Sequence, residues 1–148
     1  MFRPTYSDDL FKRWHPISVR FRDLDPLNHV NNAAFNTYFE EARIHFLADV
    51  ADMANGFREG KSFVLVKATI EYLKQVTYPS ELLVGMGISK LGNTSVEAVQ
   101  ALFHAENKEL KAVAYTTGVW FDVQRQRPTR LPTIPDVEQY VIDLSKHG

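Results

Sequence analysis

Between Arg22 and Phe35 the chain reads RDLDPLNHVNNAAF, which places two aspartates, one histidine and three asparagines within fourteen residues. These residue types move protons and place charge. A loop carboxylate such as Asp25 can deprotonate a water or attack an electrophilic carbon directly. His29 can hold or deliver a proton near neutral pH. Asparagines cap helices, and the first main-chain amides of a helix have no partner inside it. Such an amide at Asn32, with the helix dipole behind it, suits a developing oxyanion. Each residue also has a plainer use. Asp25 beside Pro26 can order a turn, His29 can bond backbone or Asp23, and Asn31 or Asn32 can serve only as a cap. From the residues alone these readings stand side by side.

The elements that must position this cluster follow from periodicity. Phe35, Tyr38, Phe39, Ala42, Phe46 and Leu47 recur at helical spacing, with Asn36, Glu40, Arg43 and Asp49 largely opposite, so the pattern predicts a helix from Ala33 to about Val50. Gly56 and Gly60 then mark a turn in the stretch MANGFREGKS. Four extended segments follow, over 62–73, 81–90, 94–105 and 110–123. In the first, Val64, Val66, Ala68, Ile70 and Tyr72 are expected on one face. In the second, Leu82, Val84, Met86 and Ile88 are. Gly92-Asn93 and the polar run ENKE supply tight turns, which suggests an antiparallel meander. Ile17–Phe21 reads as a fifth strand and 136–146 as a short terminal helix. A helix with a wide apolar stripe must be covered, and the simplest solution wraps the sheet around it. One long strand left at the edge invites pairing with a second copy, so a dimer is expected.

Composition removes several classes. A chain of 148 residues with 45% hydrophobic and 24% charged residues fits one domain, 1–148, with one substantial core. A net charge of -1 argues against a general nucleic-acid binder. The absence of cysteine removes disulfides, thiolate metal sites and a cysteine nucleophile, and fits a reducing compartment such as the cytoplasm. No secretory apolar core is expected in MFRPTYSDDL, and apolar runs as short as FVLV at 63–66 argue against a membrane span. His15, His45, His104 and His147 show no ligand spacing, so neither a metal nor a cofactor is expected. A G-x-S-x-G elbow and nucleotide-binding glycine fingerprints are absent.

The stretch VRFRDLDPLNHVNNAAFNTYFEEAR resembles the signature of hotdog-fold acyl-CoA thioesterases of the 4-hydroxybenzoyl-CoA thioesterase-like superfamily. The matching positions are Arg20, Asp23, Asp25, His29, Val30, Asn31, Asn32, Phe35, Tyr38, Glu41, Ala42 and Arg43. The segments IEYLKQVTYPSELLV and FDVQRQRPTRLP extend the likeness to about 115 residues. Asn28 stands where many relatives have glycine. Asparagine is the residue that best tolerates a left-handed backbone in its place. Plant acyl-carrier-protein thioesterases resemble this variant, so the acyl carrier stays open between coenzyme A and a carrier protein.

The resemblance implies an α+β hotdog fold, a long central helix wrapped by a five-stranded antiparallel sheet. It implies hydrolysis of a thioester to a free acid and a thiol. Asp25 is then the base or nucleophile, the Asn32 amide the oxyanion donor, and His29 a third group with an undecided role. Asn31, Phe35, Tyr38 and Phe39 are the substrate-side candidates, the three aromatics lining part of an acyl tunnel. Coenzyme A enters only as part of the substrate, with Arg58, Lys61, Lys90, Arg125, Arg127 and Arg130 as phosphate-side candidates. Self-association as a dimer or tetramer is expected. Glu41 is read as part of a salt-bridged helix face. The rival readings are a hotdog enoyl-thioester hydratase or dehydratase, and a non-catalytic binder of acyl thioesters.

Overall fold

A computed structural model of the chain describes residues 6–50, 56 and 58–146. The helical stripe becomes α1, Asn32–Asp49, which buries Phe35, Tyr38, Phe39, Ala42 and Phe46. Around it curls one antiparallel sheet built from β1 (Arg13–Ser18), β2 (Lys61–Tyr72), β3 (Glu81–Leu91), β4 (Ser95–His104) and β5 (Leu110–Asp122), in the order β1-β3-β4-β5-β2. A two-residue β6, Arg127–Pro128, folds back on the end of β5. This is the expected hotdog arrangement of one helix against a five-strand sheet.

Alternation along the strands decides the faces. Leu82 and Val84 of β3 join Leu102, Ala112 and Ala114 under the first half of α1. Met86 and Ile88 join Ala98 and Trp120 under its second half. The opposite face of β3 carries Gly85 and Gly87. A Cβ on Gly85 would sit 2.7 Å from the Phe11 ring, and one on Gly87 would overlap Ile142. Both glycines let terminal segments lie flat on the outer sheet face, where Tyr6, Phe11 and Ile142 cover Val99, Ala101, Phe103 and Val113. The C-terminal segment is also pinned by main-chain bonds, Ile88 N to Tyr140 O (2.7 Å) and Ile142 N to Ile88 O (2.9 Å).

Three expectations need correction. The strand placed at Ile17–Phe21 runs instead over Arg13–Ser18, because Arg20 and Asp23 close a 3-10 turn at Phe21–Asp23. The face assigned to β2 is interrupted: a register shift between Leu65 and Lys67 inserts one residue, so Phe63 and Leu65 share the helix side with Ile70. The short terminal helix is two 3-10 turns, Val137–Gln139 and Leu144–Lys146, flanking the parallel bridge between Val141 and Ile88. Of the turn read in MANGFREGKS, residues 53–55 and 57 lie outside the described residues, and Gly60 turns the chain into β2 with a φ of 82°. β2 forms the sheet edge and leaves Val64, Leu65 and Val66 exposed, Val66 by 57%.

Candidate active site

The site begins with a buried carboxylate. Asp23 accepts bonds from the Arg20 main-chain N (3.0 Å), from Arg20 Nη2 (3.0 Å) and from the Tyr38 hydroxyl (2.6 Å). Burial opposes its charge, but the Arg20 and Tyr38 bonds outweigh that and hold the carboxyl below its ordinary range. Burial, and then the bond to Asp23, raise the Tyr38 hydroxyl far above its own. The network ties the end of β1 to the second turn of α1.

Asp25 sits two residues on, half-buried, in a closed turn. Its main-chain N donates to His29 O (2.8 Å), and Asn28 N donates back to Asp25 O (3.0 Å). The turn needs a positive φ, supplied by Asn28 at 64°. The side chain is half-committed as well. Oδ1 accepts from Leu27 N (2.9 Å) and His29 N (3.2 Å), while Oδ2 has no partner among the described residues. His29 takes part through its main chain, and its ring has no bond among the described residues.

An isolated bridge between Leu24 and Val30 closes the loop, and Asn31 N donates to Asp23 O (2.8 Å). The helix start therefore lies against the arm that carries Asp25. Asn31 is the N-cap: its Oδ1 accepts from Ala33 N (2.8 Å), and its carbonyl from Ala34 N (2.9 Å). That leaves the Asn32 amide, at the first helical position, without an acceptor among the described residues. A carboxylate oxygen and a helix-start amide are thus both left open on adjoining arms of one ordered loop.

The remaining predicted residues divide. Phe35, Tyr38 and Phe39 lie in the core, Phe39 fully buried. Phe35 packs edge-on against Tyr72 at 5.4 Å. None of the three lines the apolar cavity of about 260 Å³ further along the helix, whose walls include Phe46, Phe63, Met86 and Ile88. Glu41 pairs with His15 Nε2 at 2.7 Å, and the His15 ring stacks on His45 at 4.2 Å. Lys61 and Arg125 lie near Glu59 and Asp122 respectively, each at 3.9 Å. Sequence reasoning missed Gln100, a fully buried polar side chain beneath α1; Arg43, expected largely opposite the apolar stripe, is half-buried and bonds it. The signal was there: Gln100 interrupts the apolar run AVQALF at inward parity with Ala98 and Leu102.

Residues 19–141 match the thioesterase-like superfamily. The chain belongs to that family. Over 125 residues it is 30% identical to an acyl-CoA thioester hydrolase, YbgC, of Escherichia coli, covering 81% of this chain and 89% of the relative. A thioesterase of Thermus thermophilus, crystallised with coenzyme A and zinc, is 33% identical, with a TM-score of 0.72 over 88% of this chain and 97% of that one. YbaW, a probable thioesterase of Escherichia coli, is 26% identical with a TM-score of 0.75, covering 86% and 98%. The chain is accordingly a thioester hydrolase of hotdog fold. Among the described residues no helix is long and apolar enough to cross a membrane, and no group of three or more His, Asp or Glu side chains can hold a metal ion.

Proposed function

We propose that the substrate is an acyl-coenzyme A thioester, and that Asp25 and the Asn32 amide carry the reaction. The observation that supports this most is the pair of open valences, Asp25 Oδ2 and Asn32 N–H, on one loop. In the general-base route Oδ2 takes a proton from water, and the water oxygen adds to the thioester carbonyl. Negative charge collects on the carbonyl oxygen, facing the Asn32 amide and the positive end of α1. Collapse breaks the carbon–sulfur bond, and the proton held by Asp25 passes to the departing thiolate. In the nucleophilic route Oδ2 itself adds, the carbon–sulfur bond breaks to release the thiolate and leave an anhydride, and water then opens the anhydride, its proton balancing the thiolate. The two bonds on Oδ1 serve either route, because they fix where Oδ2 points. His29, with its ring free of protein partners among the described residues, stands near enough in sequence to contact substrate or leaving group. The E. coli relative is named for acyl-CoA hydrolysis, and the Thermus relative holds coenzyme A, which favours that carrier over a carrier protein.

The same reading assigns the acyl group to the apolar cavity, since Phe35, Tyr38 and Phe39 are taken up by the core. The Phe35–Tyr72 contact places the start of α1 at the C-terminal end of β2, whereas Phe63 and Leu65 place the cavity at its N-terminal end. Antiparallel pairing of the exposed β2 edge with a second copy would bring each helix start beside the other copy's cavity. A dimer with two shared sites follows. The test is a thiol-release screen over short, long and aromatic acyl-CoAs, with the same acyl groups on a carrier protein. Turnover on coenzyme A esters is expected. Loss of enoyl absorbance without thiol release would favour a hydratase instead, and tight binding without turnover a binder.

A further inference from the structure

The cavity beside the second half of α1 is apolar except for Arg43, Glu40 and the buried Thr116. Arg43 stands on its wall, half-buried, with exposed Glu40 at the rim. Its Nη1 donates to Gln100 Oε1 at 3.2 Å. Gln100 in turn donates from Nε2 to the carbonyl of Phe39 at 2.8 Å. That second bond fixes which way the Gln100 amide faces: its nitrogen is committed to the helix, so its oxygen must face the guanidinium. The glutamine holds the arginine against the cavity wall.

The arginine is under-used where it stands. A guanidinium carries five N–H donors, and among the described residues this one spends a single donor, on a neutral amide. No carboxylate lies within 4 Å of it among the described residues, and Glu40 acts only through space. Burial lowers its pKa, the mark of a cation held where charge is disfavoured. A cation kept in this wall with no carboxylate beside it among the described residues is placed to meet an acceptor that arrives with the ligand.

We propose that Arg43 is the specificity-determining residue for the acyl group: the cavity accepts an acyl chain that is apolar along most of its length and carries an oxygen hydrogen-bond acceptor where it meets the guanidinium. This rests on the thioesterase reading above. Glu40 at the rim disfavours a second negative charge, so the preferred acceptor is a neutral keto or hydroxyl oxygen rather than a carboxylate. Gln100 is the positioning residue.

The test uses pairs of acyl-CoAs of equal chain length that differ only in a methylene, keto, hydroxyl or terminal carboxyl group in the distal half. Thiol release gives kcat/KM, and calorimetry on the full-length Asp25→Asn protein gives binding irrespective of turnover. Wild type should favour the keto or hydroxyl member over the plain chain by roughly tenfold or more, the range of a hydrogen bond to a charged group. Arg43→Met should bring that ratio to one, and Arg43→Lys should keep part of it. Oxygen preference in binding with no turnover would uphold Arg43 while overturning hydrolysis. Equal binding and turnover for plain and oxygenated chains in wild type, or an undiminished preference in Arg43→Met, would overturn the proposal, as would strongest preference for the carboxylate.

Discussion

Two aspartates lie two residues apart and do different work. Asp23 is buried, and both of its oxygens are bonded by Arg20 or Tyr38. Asp25 has one oxygen held by two amides and the other open. Asp23 is therefore a structural anion, and its pKa direction sets a pH dependence. Its carboxyl is held below the ordinary 3.8, so the stability it contributes is fully present above that value and drains away as pH falls through the folded pKa. In acid titrations of unfolding free energy, wild type should lose stability below about pH 4. Asp23→Asn should start lower at neutral pH and show a flatter acid limb. Tyr38→Phe removes one bond from a buried carboxylate and should lower stability by about 1–3 kcal/mol in denaturant unfolding, with thiol release near wild type.

At the scale of elements, the junction between loop and α1 does most to organise the site. Asn31 caps the helix through the Ala33 amide, and the Asn32 amide has no acceptor among the described residues. Asn31→Ala should cost about 1 kcal/mol of stability in denaturant unfolding. Asn28→Gly should be tolerated, whereas Asn28→Val should destabilise, because a β-branched residue is strained at a φ of 64°. Much of this junction was legible in the sequence, since caps and helical stripes are local patterns. So were the inward faces of β3 and the turns around it. What was not legible depends on distant partners. The end of β1 was misplaced because Arg20 is drawn to Asp23, which Tyr38 also bonds, rather than into the sheet. The inward face of β2 was misread because a bulge opposite β5 breaks its alternation. The C-terminal segment looked helical because nothing local marks its parallel pairing with Ile88. Phe35, Tyr38 and Phe39 were expected to line part of an acyl tunnel, and the curled sheet packs all three into the core.

For the whole molecule, the outer sheet face and the β2 edge are unlike. The outer face is closed by the chain's own terminal segments, with Phe11 over Gly85 and Ile142 over Gly87. The β2 edge is open and apolar, with Val64, Leu65 and Val66 exposed around the bulge. An open, apolar edge is the margin to which a second copy would add. Val66→Lys should leave the monomer folded, since the side chain is exposed, yet weaken self-association in sedimentation velocity. If the site is shared between copies, turnover per chain should fall with dilution, and fall further in the variant. An unchanged oligomeric state in Val66→Lys would move the interface away from this edge.

The central claim is that one carboxylate oxygen and one main-chain amide perform the hydrolysis, and the amide can be removed without touching its neighbours. Proline at the first helical position lacks only an N–H that has no helical partner there, and Asn31 already has the extended backbone, at φ -62° and ψ 140°, that a residue before proline adopts. The decisive measurement is kcat for thiol release from one saturating acyl-CoA by wild type, Asp25→Asn, Asn32→Ala and Asn32→Pro. Asn32→Ala should remain close to wild type. Asn32→Pro should fall by about 10²–10³, the worth of one oxyanion donor. Asp25→Asn should fall by at least about 10², as expected for loss of a base or nucleophile. Folded Asp25→Asn protein turning over at the wild-type rate, or Asn32→Pro matching Asn32→Ala, would contradict the account.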